Sequence, residues 1–496
     1  MDCVSDIEYP PSDCVSDIEY PPRYPEELLS RLITEVKDWQ TTHGSLLKLV
    51  GTENKHTVSS RPIGVSLFPT FFPKEYFGEA SNVQTLYNKL YVAISEDPQW
   101  LFDVLQDLIQ GDHLANALWK IHTQVEHEGV VQDLTLGIFR SDYMLDRSWE
   151  RGLEIRQVEF NTFSCAGGTH GNKASEMHGH FWRTGVYDVG GFEHTDLQEA
   201  GVVVQPHNIN ICDERPIEYG LREANPPVPT YRVCFGEEVL ASTWLTPSKH
   251  LLYHPQGKNF PPSEVSVIYM RAGYDAKEYD DYGYQSRLQL ERLQAIKCPS
   301  VLCHLATFNK VQQALAMPNA LFRFLPAREA ARVAKTFAPL YPLDSSELGL
   351  QARKLACDPA AAKYFVMKPS LEGGGHNVYR SDIPRALERI PRESWHRYIL
   401  MRLMNPPLLP NVLISPDEVY QGTVLAELGI FGACLWRRSS SVGTRESKKL
   451  RNKPELIMNR NAGWSFITKK QDVEEMSLGK GYACFDSPLL EAFPYS

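Results

Sequence analysis

Two side chains with oxygen atoms, Glu159 and Asn161, stand two residues apart in the segment QVEFNTFSCAGG, residues 157–168. In a β-strand, residues two apart point to the same face of the sheet, so such a strand presents both oxygens together. Carboxylate and amide oxygens suit Mg²⁺ better than zinc. The spacing leaves two interpretations open: a site for a hard cation, or an ordinary solvated strand face.

A second segment, KYFVMKPSLEGGGHNVY at residues 363–379, has the residue types of a nucleotide lid. Residues 364–367 predict a short buried strand, and Lys368 follows at its end. The glycines at 373–375 lack a Cβ, so their backbone N–H groups could approach phosphate oxygens closely. Glu372 opens this loop, and a carboxylate beside a polyphosphate requires a cation between them. Together with the oxygens of the first segment, this carboxylate would form one Mg²⁺ and phosphate site; a glycine-rich surface turn is the alternative.

Arginines follow two further predicted strands. The segment LTLGIFRSDYM, residues 134–144, predicts a buried strand that carries Arg140 and Asp142. Either these two residues form a structural ion pair, or Arg140 instead clamps a substrate carboxylate through its planar fork of donors. The predicted strand at 265–270 leads into Arg271 and Tyr274, a second plausible grip for a carboxylate.

The scaffold that positions these residues mixes helices and strands. Apolar spacing predicts helices at residues 25–44, 83–105, 114–130, 285–297 and 321–336. Apolar runs predict strands at residues 65–72, 202–205, 241–244, 398–404 and 425–436. The strands between residues 202 and 270 suggest a separate α/β unit of roughly a hundred residues.

Composition excludes several classes of protein. With 496 residues, 43% of them apolar, the chain can bury a large core and should form two or three domains. The net charge of -10 argues against nucleic acid or an anionic membrane as main partner. No apolar run approaches the ~18 residues of a membrane span, and no signal peptide is visible. The ten scattered cysteines predict reduced thiols, and hence a cytoplasmic protein unless a leader has been removed.

Two features carry no predicted chemistry. The sequence DCVSDIEYPP occurs twice, at residues 2–11 and 13–22, and two copies are too few for a solenoid. The duplication indicates either a disordered tail or an artefact of the sequence. The histidines at 170, 178 and 180 have no matching cysteine or acidic partners at ligand spacing, so a zinc site is not predicted.

Read in order, six segments resemble eukaryotic glutathione synthetase from about residue 24 to about residue 430. They are GIFRSDYM, QVEFNT, YMRAGYDAKEY, KVQQAL, MKPSLEGGGHNVY and AELGIFG, and KP-x-x-EGGG-x-N is the most specific stretch. The resemblance implies an α/β (α+β) class protein with an ATP-grasp fold, an inserted α/β substrate-binding domain and a glycine-rich lid. It also implies a homodimer that uses ATP and Mg²⁺ to ligate γ-glutamylcysteine to glycine through an acyl phosphate.

The resemblance also implies domain boundaries and site residues. The expected parts are a tail at 1–23, the N-terminal core at 24–201, the inserted domain at 202–305, and a C-terminal part with the lid at 306–496. The implied metal ligands are Glu159, Asn161 and Glu372, and the implied catalytic residues are Arg140 and Lys368. The implied nucleotide contacts are Met144, Lys310, Lys368, Gly373, Gly374, Gly375, Asn377, Tyr379, Met401, Met404, Glu427 and Lys469. The implied substrate contacts are Arg140, Ser164, Asn208, Asn210, Glu214, Arg271 and Tyr274.

The chain departs from the family pattern mainly around the substrates. Asn208 replaces an acid and Glu214 replaces an amide, while Ile467 replaces an arginine that would hold the glycine end. Asn309 replaces a lysine that contacts ATP, although Lys310 is adjacent. Three hypotheses follow: a glutathione synthetase, a related ligase with another acceptor, or a nucleotide-binding interaction protein without turnover.

Overall fold

The computed structural model describes residues 20–49, 59–148, 152–187, 211–254, 261–371, 376–438, 454–474 and 483–491. Several predicted features lie outside these ranges. They are most of the duplicated tail, the strand at 202–205, the glycine loop with Glu372, and two of the implied substrate contacts, Asn208 and Asn210.

Helices recur along the whole of the described chain. The α-helices are α1 (Glu26–Thr42), α2 (Lys74–Ser95), α3 (Pro98–Gly111), α4 (His113–Glu128), α5 (Gly168–Arg183), α6 (Ile211–Glu223), α7 (Glu237–Ser242), α8 (Asp281–Glu291), α9 (Val301–Leu305), α10 (Asn309–Leu315), α11 (Ala327–Thr336), α12 (Glu347–Cys357), α13 (Pro359–Ala362) and α14 (Asp382–Arg389). Short 3₁₀ helices lie at Ala276–Glu278, Ala320–Arg323 and Arg392–Arg397. None of the helices within the described ranges is long and apolar enough to cross a membrane.

Within the described residues, the strands form two principal sheets and three small ones. They are β1 (Leu46–Lys48), β2 (Ser60–Pro62), β3 (Val65–Ser66), β4 (Thr70–Pro73), β5 (Leu134–Ser148), β6 (Gly152–Asn161), β7 (Thr243–Leu245), β8 (Leu251–Tyr253), β9 (Ser263–Val265), β10 (Val267–Tyr269), β11 (Ile296–Cys298), β12 (Leu340–Pro342), β13 (Phe365–Pro369), β14 (Val378–Tyr379), β15 (Tyr398–Arg402), β16 (Leu409–Ile414), β17 (Val419–Arg437), β18 (Glu455–Lys470), β19 (Ala483–Asp486) and β20 (Pro488–Glu491).

The larger principal sheet has the strand order β10-β11-β5-β17-β16-β3-β19-β18, with β6 paired to β5. Because β18 also pairs with β17, the five strands from β17 to β18 close into a ring. Helices α2, α3, α4 and α9 cover one side, where Tyr91 stacks on Phe160 at 3.9 Å between ring centroids. Helices α1 and α5 cover the ring side, where Val36 and Met177 are fully buried with Phe485.

The smaller principal sheet has the antiparallel order β12-β15-β13-β14. One face packs under helices α12, α13 and α14, with Met367 and Leu400 in its core. Successive side chains of a strand alternate between faces, so Val366 and Lys368 belong to the opposite face. That second face carries the apolar cluster of Val366, Ile399 and Met401.

Several predicted elements are confirmed, among them the helix at 25–44 and the strands that contain residues 134–144 and 425–436. The single helix predicted at 83–105 is wrong: α2 ends at Ser95 and α3 begins at Pro98. The Asp97 side chain accepts a hydrogen bond from the Trp100 N–H, and proline is well suited to the first helical position. The chain is therefore able to start a new helix here.

Other predicted boundaries are wrong where a proline or a tertiary pairing intervenes. The helix predicted at 321–336 begins only after Pro326, and the strand predicted at 65–72 is divided around Pro69. The helix predicted at 285–297 ends at Glu291, because residues 296–298 pair in parallel with β10 in the larger sheet. The strand predicted at 241–244 begins only at residue 243, after the end of α7.

Candidate active site

The β5–β6 hairpin places four polar side chains on one face of the larger sheet. The register sets Arg140 opposite Asn161 and Asp142 opposite Glu159, with a bulge directly after Asp142. Residues two apart on a strand share a face, and directly opposed residues are neighbours on that face. The structure thus brings the predicted metal-binding pair next to the predicted arginine.

Hydrogen bonds lock these four side chains together. Arg140 donates through Nε and Nη2 to the two carboxylate oxygens of Asp142, at 2.7 and 2.8 Å, and through Nη1 to the carbonyl of Ala166 at 2.7 Å. Asn161 Nδ2 donates to Asp142 at 2.9 Å and to Glu159 at 3.1 Å. With its nitrogen used as donor, the amide oxygen of Asn161 is the atom left for a cation. The structural ion pair weighed for Arg140 is present.

A third carboxylate, Glu427, joins this group from β17. Burial raises its pKa to about 8, and repulsion from Asp142 and Glu159 adds to that shift. Burial likewise raises the pKa of Asp142, although Arg140 opposes the shift. Gly429 lies opposite Asp142, and a Cβ there would stand 2.9 Å from an Asp142 oxygen, so only glycine leaves room.

Asp142 is buried, and Glu159 and Glu427 are partly buried. Crowded carboxylates of this kind fit a divalent cation, which would relieve their mutual repulsion. Glu159 and Asn161 provide two oxygen ligands, and Glu372 lies outside the described residues. Within the described ranges, no group of three or more His, Cys, Asp or Glu side chains has the arrangement of a metal site. The three-ligand magnesium set therefore stays a prediction.

Lys368 connects the smaller sheet to this group. It is buried, and its Nζ donates to the carbonyl of Val158 at 3.1 Å, one residue before Glu159. Its charge also acts on Asp142, where it offsets part of the rise that burial causes in the pKa of that carboxyl. The two segments singled out in the sequence, about two hundred residues apart, therefore meet at this point.

Three of the predicted nucleotide contacts lie together on the smaller sheet, and others lie on separate elements. Tyr379, Met401 and Met404 border the apolar cluster on the Lys368 face of the smaller sheet, a surface suited to a flat ring. Met144 is partly buried on β5, opposite Arg156, and Asn377 follows the glycine loop. Lys469 is buried on β18, where its Nζ donates to the Glu474 carbonyl at 2.6 Å. Its charge offsets part of the rise in the pKa of Glu427.

The uncharged side chain of Asn309 holds the backbone at the entry to the glycine loop. Its Nδ2 donates to the carbonyls of Pro369 and Leu371, at 3.0 and 2.8 Å, and so holds the chain that enters the glycine loop. Lys310 Nζ lies 3.9 Å from an Asp344 carboxylate oxygen, and burial lowers its pKa.

The predicted substrate contacts surround the loop after β6. Ser164 has a positive φ of 52° and donates to the Arg271 carbonyl at 3.2 Å. Arg271 donates to the Cys165 carbonyl, next to the Ala166 carbonyl that Arg140 holds. The structure thus uses two arginines to fix consecutive carbonyls of one loop. Tyr274 is 38% exposed at the surface.

Asp213 anchors this loop at the start of α5. Its carboxylate accepts hydrogen bonds from the N–H groups of Gly167, Thr169 and His170, at 3.0, 3.1 and 3.3 Å. A carboxylate is stabilised at a helix N-terminus because the N–H groups there lack partners within the helix. Its neighbour Glu214 instead faces two arginines, Arg232 at 3.1 Å and Arg271 at 3.5 Å.

Ile467 lies on β18 directly opposite Glu427 and also opposite Phe485 of β19. It packs against the apolar cluster of α1 and α5. An arginine at this position, as the resemblance implies, would stand across from the Glu427 carboxylate. Here an apolar side chain takes that place.

The sequence did not identify Asp142 and Asn309 as residues that shape the site. Asp142 binds both Arg140 and Asn161, and the alternation R-x-D beside E-x-N was the signal that could have revealed it. Asn309 was predicted only as a lost cation, because its contacts with residues 369 and 371 come from the tertiary fold. Of the three histidines, His178 bonds to Ser66 at 3.1 Å and to Tyr187 at 2.8 Å, in keeping with a structural role.

Comparisons with known proteins agree over nearly the whole chain. A family model described as eukaryotic glutathione synthase, ATP binding domain, matches residues 26–490. The chain is 31% identical to the glutathione synthetase large chain of Schizosaccharomyces pombe, covering 94% of this chain and 98% of that protein. It is 31% identical to the glutathione synthetase of Homo sapiens, covering 93% of this chain and 97% of that protein.

A solved structure of a glutathione synthetase like-effector from Globodera pallida, in apoform, superposes with a TM-score of 0.70. The two chains are 18% identical, and the match covers 97% of this chain and 100% of that one. The predicted α/β ATP-grasp fold is therefore confirmed. Because the family match spans almost every described element, the chain belongs to the eukaryotic glutathione synthetase family.

Proposed function

We propose that this ATP-dependent ligase of the glutathione synthetase type joins a γ-glutamylcysteine-like donor to an amine acceptor, with Mg²⁺ as cofactor. In the proposed reaction, a carboxylate oxygen of the donor attacks the γ-phosphorus of ATP, and ADP leaves. The acceptor amine then attacks the acyl phosphate carbon, phosphate leaves, and the amine gives up a proton. Glycine is the acceptor that the family relationship favours.

The observation that carries this proposal is the meeting of Lys368 with the carboxylate group on β5, β6 and β17. A cation on the smaller sheet, facing carboxylates on the larger one, is what phosphoryl transfer between the sheets requires. Glu159, Asn161 and Glu372 would hold Mg²⁺. Bound there, the ion would neutralise charge on the phosphate oxygens.

A ligase with a different acceptor is the second candidate. Ile467 favours it, because an apolar side chain opposite Glu427 cannot hold the carboxylate of glycine as an arginine fork would. Loss of turnover with retained nucleotide binding is the third hypothesis, motivated by Asn309. Its two hydrogen bonds at the entry to the glycine loop support an ordered loop start and so favour catalysis over that hypothesis.

We further propose the domain organisation, the assembly and the location that the sequence predicted. The three-stranded sheet β7-β8-β9, with α7 and α8, belongs to the proposed inserted domain at residues 202–305. The proposed assembly is a homodimer, and the proposed location is the cytoplasm. The eight described cysteines are free thiols, which supports a reducing location.

Phosphate release from Mg·ATP tests the proposed reaction. The purified protein would be given γ-glutamylcysteine with and without glycine, and then with a panel of amines and amino acids. Glycine-dependent release supports glutathione synthesis, and release with another amine alone supports the second candidate. Tight Mg·ATP binding by calorimetry without release for any acceptor would contradict the proposed ligase.

A further inference from the structure

A buried cluster of opposite charges lies beside the loop that follows β6. We call it the Arg271 cluster; its members are Arg271, Arg232, Asp213, Glu214 and Glu218. The side chains of Arg271, Asp213, Glu214 and Glu218 are 3 to 5% exposed, and that of Arg232 is 14% exposed. Buried charges of this kind are tolerated only when they are paired.

Arg271 is surrounded by acceptors. Its Nε lies 3.5 Å from Glu214 Oε1, its Nη2 lies 3.7 Å from Asp213 Oδ2, and its Nη1 donates to the Cys165 carbonyl. The phenol of Tyr269 is a further neighbour of this charge. Because this guanidinium already faces two carboxylates, its single positive charge is offset, and a third carboxylate would gain little attraction from it.

The two carboxylates near Arg271 differ in what else they bind. Asp213 is also held by the N–H groups at the start of α5, so much of its charge is balanced there. Glu214 lies between two arginines and bridges Arg271 to Arg232. An uncharged amide at position 214 would keep the hydrogen-bonding geometry but leave Arg271 with a surplus of positive charge.

We infer that Glu214 sets the donor specificity by neutralising Arg271, so that the donor pocket takes a peptide whose head group lacks the free carboxylate of a γ-glutamyl residue. This inference rests on the proposed function and on the substrate contact that the family resemblance implies for Arg271. A head group with a carboxylate would meet Glu214 and Asp213 at close range without an unpaired cation. A head group with hydrogen in place of the carboxylate avoids that repulsion.

Glu218 provides a matched control. It is as buried as Glu214 and belongs to the same cluster, with Arg232 Nε at 2.8 Å and Arg215 Nη1 at 2.7 Å. None of its described contacts involves Arg271. Replacing either glutamate by glutamine removes one buried charge from the partners of Arg232, but only the replacement of Glu214 changes the charge beside Arg271.

The test uses two donor peptides that differ in one group, γ-glutamylcysteine and 4-aminobutanoylcysteine, which lacks the α-carboxylate. Calorimetry would measure the affinity of each for the full chain with Mg²⁺ and a non-hydrolysable ATP analogue. We expect the wild-type protein to bind 4-aminobutanoylcysteine at least as tightly as γ-glutamylcysteine. Glu214→Gln should strengthen γ-glutamylcysteine binding by about tenfold, since it frees a charge-assisted interaction, with the other peptide unchanged. Glu218→Gln should change the ratio of the two affinities by less than about twofold.

Glu214→Asp keeps the charge and should keep the wild-type ratio, which guards against a folding defect in the glutamine variant. A tenfold wild-type preference for γ-glutamylcysteine would overturn the inference and leave the proposed function standing. So would equal shifts of the ratio in Glu214→Gln and Glu218→Gln. Absence of binding by both peptides in all of these proteins would contradict the proposed function and the inference with it.

Discussion

Asp142 is the residue on which the geometry of the candidate site most depends. Its two oxygens accept both hydrogen bonds of the Arg140 fork, and one of them also accepts from Asn161. Asp142→Asn removes the charge and turns one oxygen into a donor, which then faces N–H groups of Arg140 or Asn161. Arg140, whose side chain is 21% exposed, is left with a largely buried charge that has lost its bidentate partner.

The expected loss can be worked out from these contacts. Removing one partner of a buried ion pair costs about 3–5 kcal/mol, because the other charge stays buried. We therefore expect the free energy of unfolding of Asp142→Asn, measured by urea denaturation, to fall by about that amount. Magnesium-dependent ATP binding should weaken as well, because Asn161 loses one of the two carboxylates that orient its amide.

The matched control is Asp146→Asn on the same strand. Asp146 accepts a hydrogen bond from the Asn405 N–H at 2.8 Å, and an amide oxygen can accept the same bond. This variant should lose less than about 1 kcal/mol. If Asp142→Asn were no more destabilising than Asp146→Asn, the view that Asp142 organises the site would be refuted.

Two further predictions concern β18 and β19. Ile467→Arg should raise glycine-dependent phosphate release by about tenfold or more, because it places a carboxylate-binding fork opposite Glu427. The control Ile457→Arg, at an exposed position of the same strand, should leave that release unchanged. An unchanged rate in Ile467→Arg would place the altered specificity elsewhere. Burial raises the pKa of Asp486 to about 7 from an ordinary value of 3.8. As pH rises, the unfolded state therefore releases the Asp486 proton before the folded state does. The free energy of unfolding should fall as pH rises from about 4 to about 7. Asp486→Asn should flatten that part of the stability profile in urea titrations, and a slope equal to that of the wild type would contradict the assignment.

Local patterns sufficed for much of the scaffold. The alternation in residues 134–144 and 157–161 encodes strands because a period of two suits a half-buried sheet. Helix α1 follows from the spacing of Leu32, Val36 and Trp39, all of which are buried. Where prolines or tertiary pairing decide the outcome, as at Pro326 or in β11, the pattern alone failed. In β11 only the neighbouring strands make an extended backbone favourable for Lys297.

The sequence by itself determined which residue types could bind a cation and a phosphate, because E-x-N, a lysine and three glycines are chemical properties of the chain. Only the tertiary structure decided which charges meet. It paired Arg140 with Asp142, set Glu427 beside them, and surrounded Arg271 with Asp213 and Glu214. The physical reason is that charge interactions depend on distance and burial, and the fold brings together residues that are far apart along the chain.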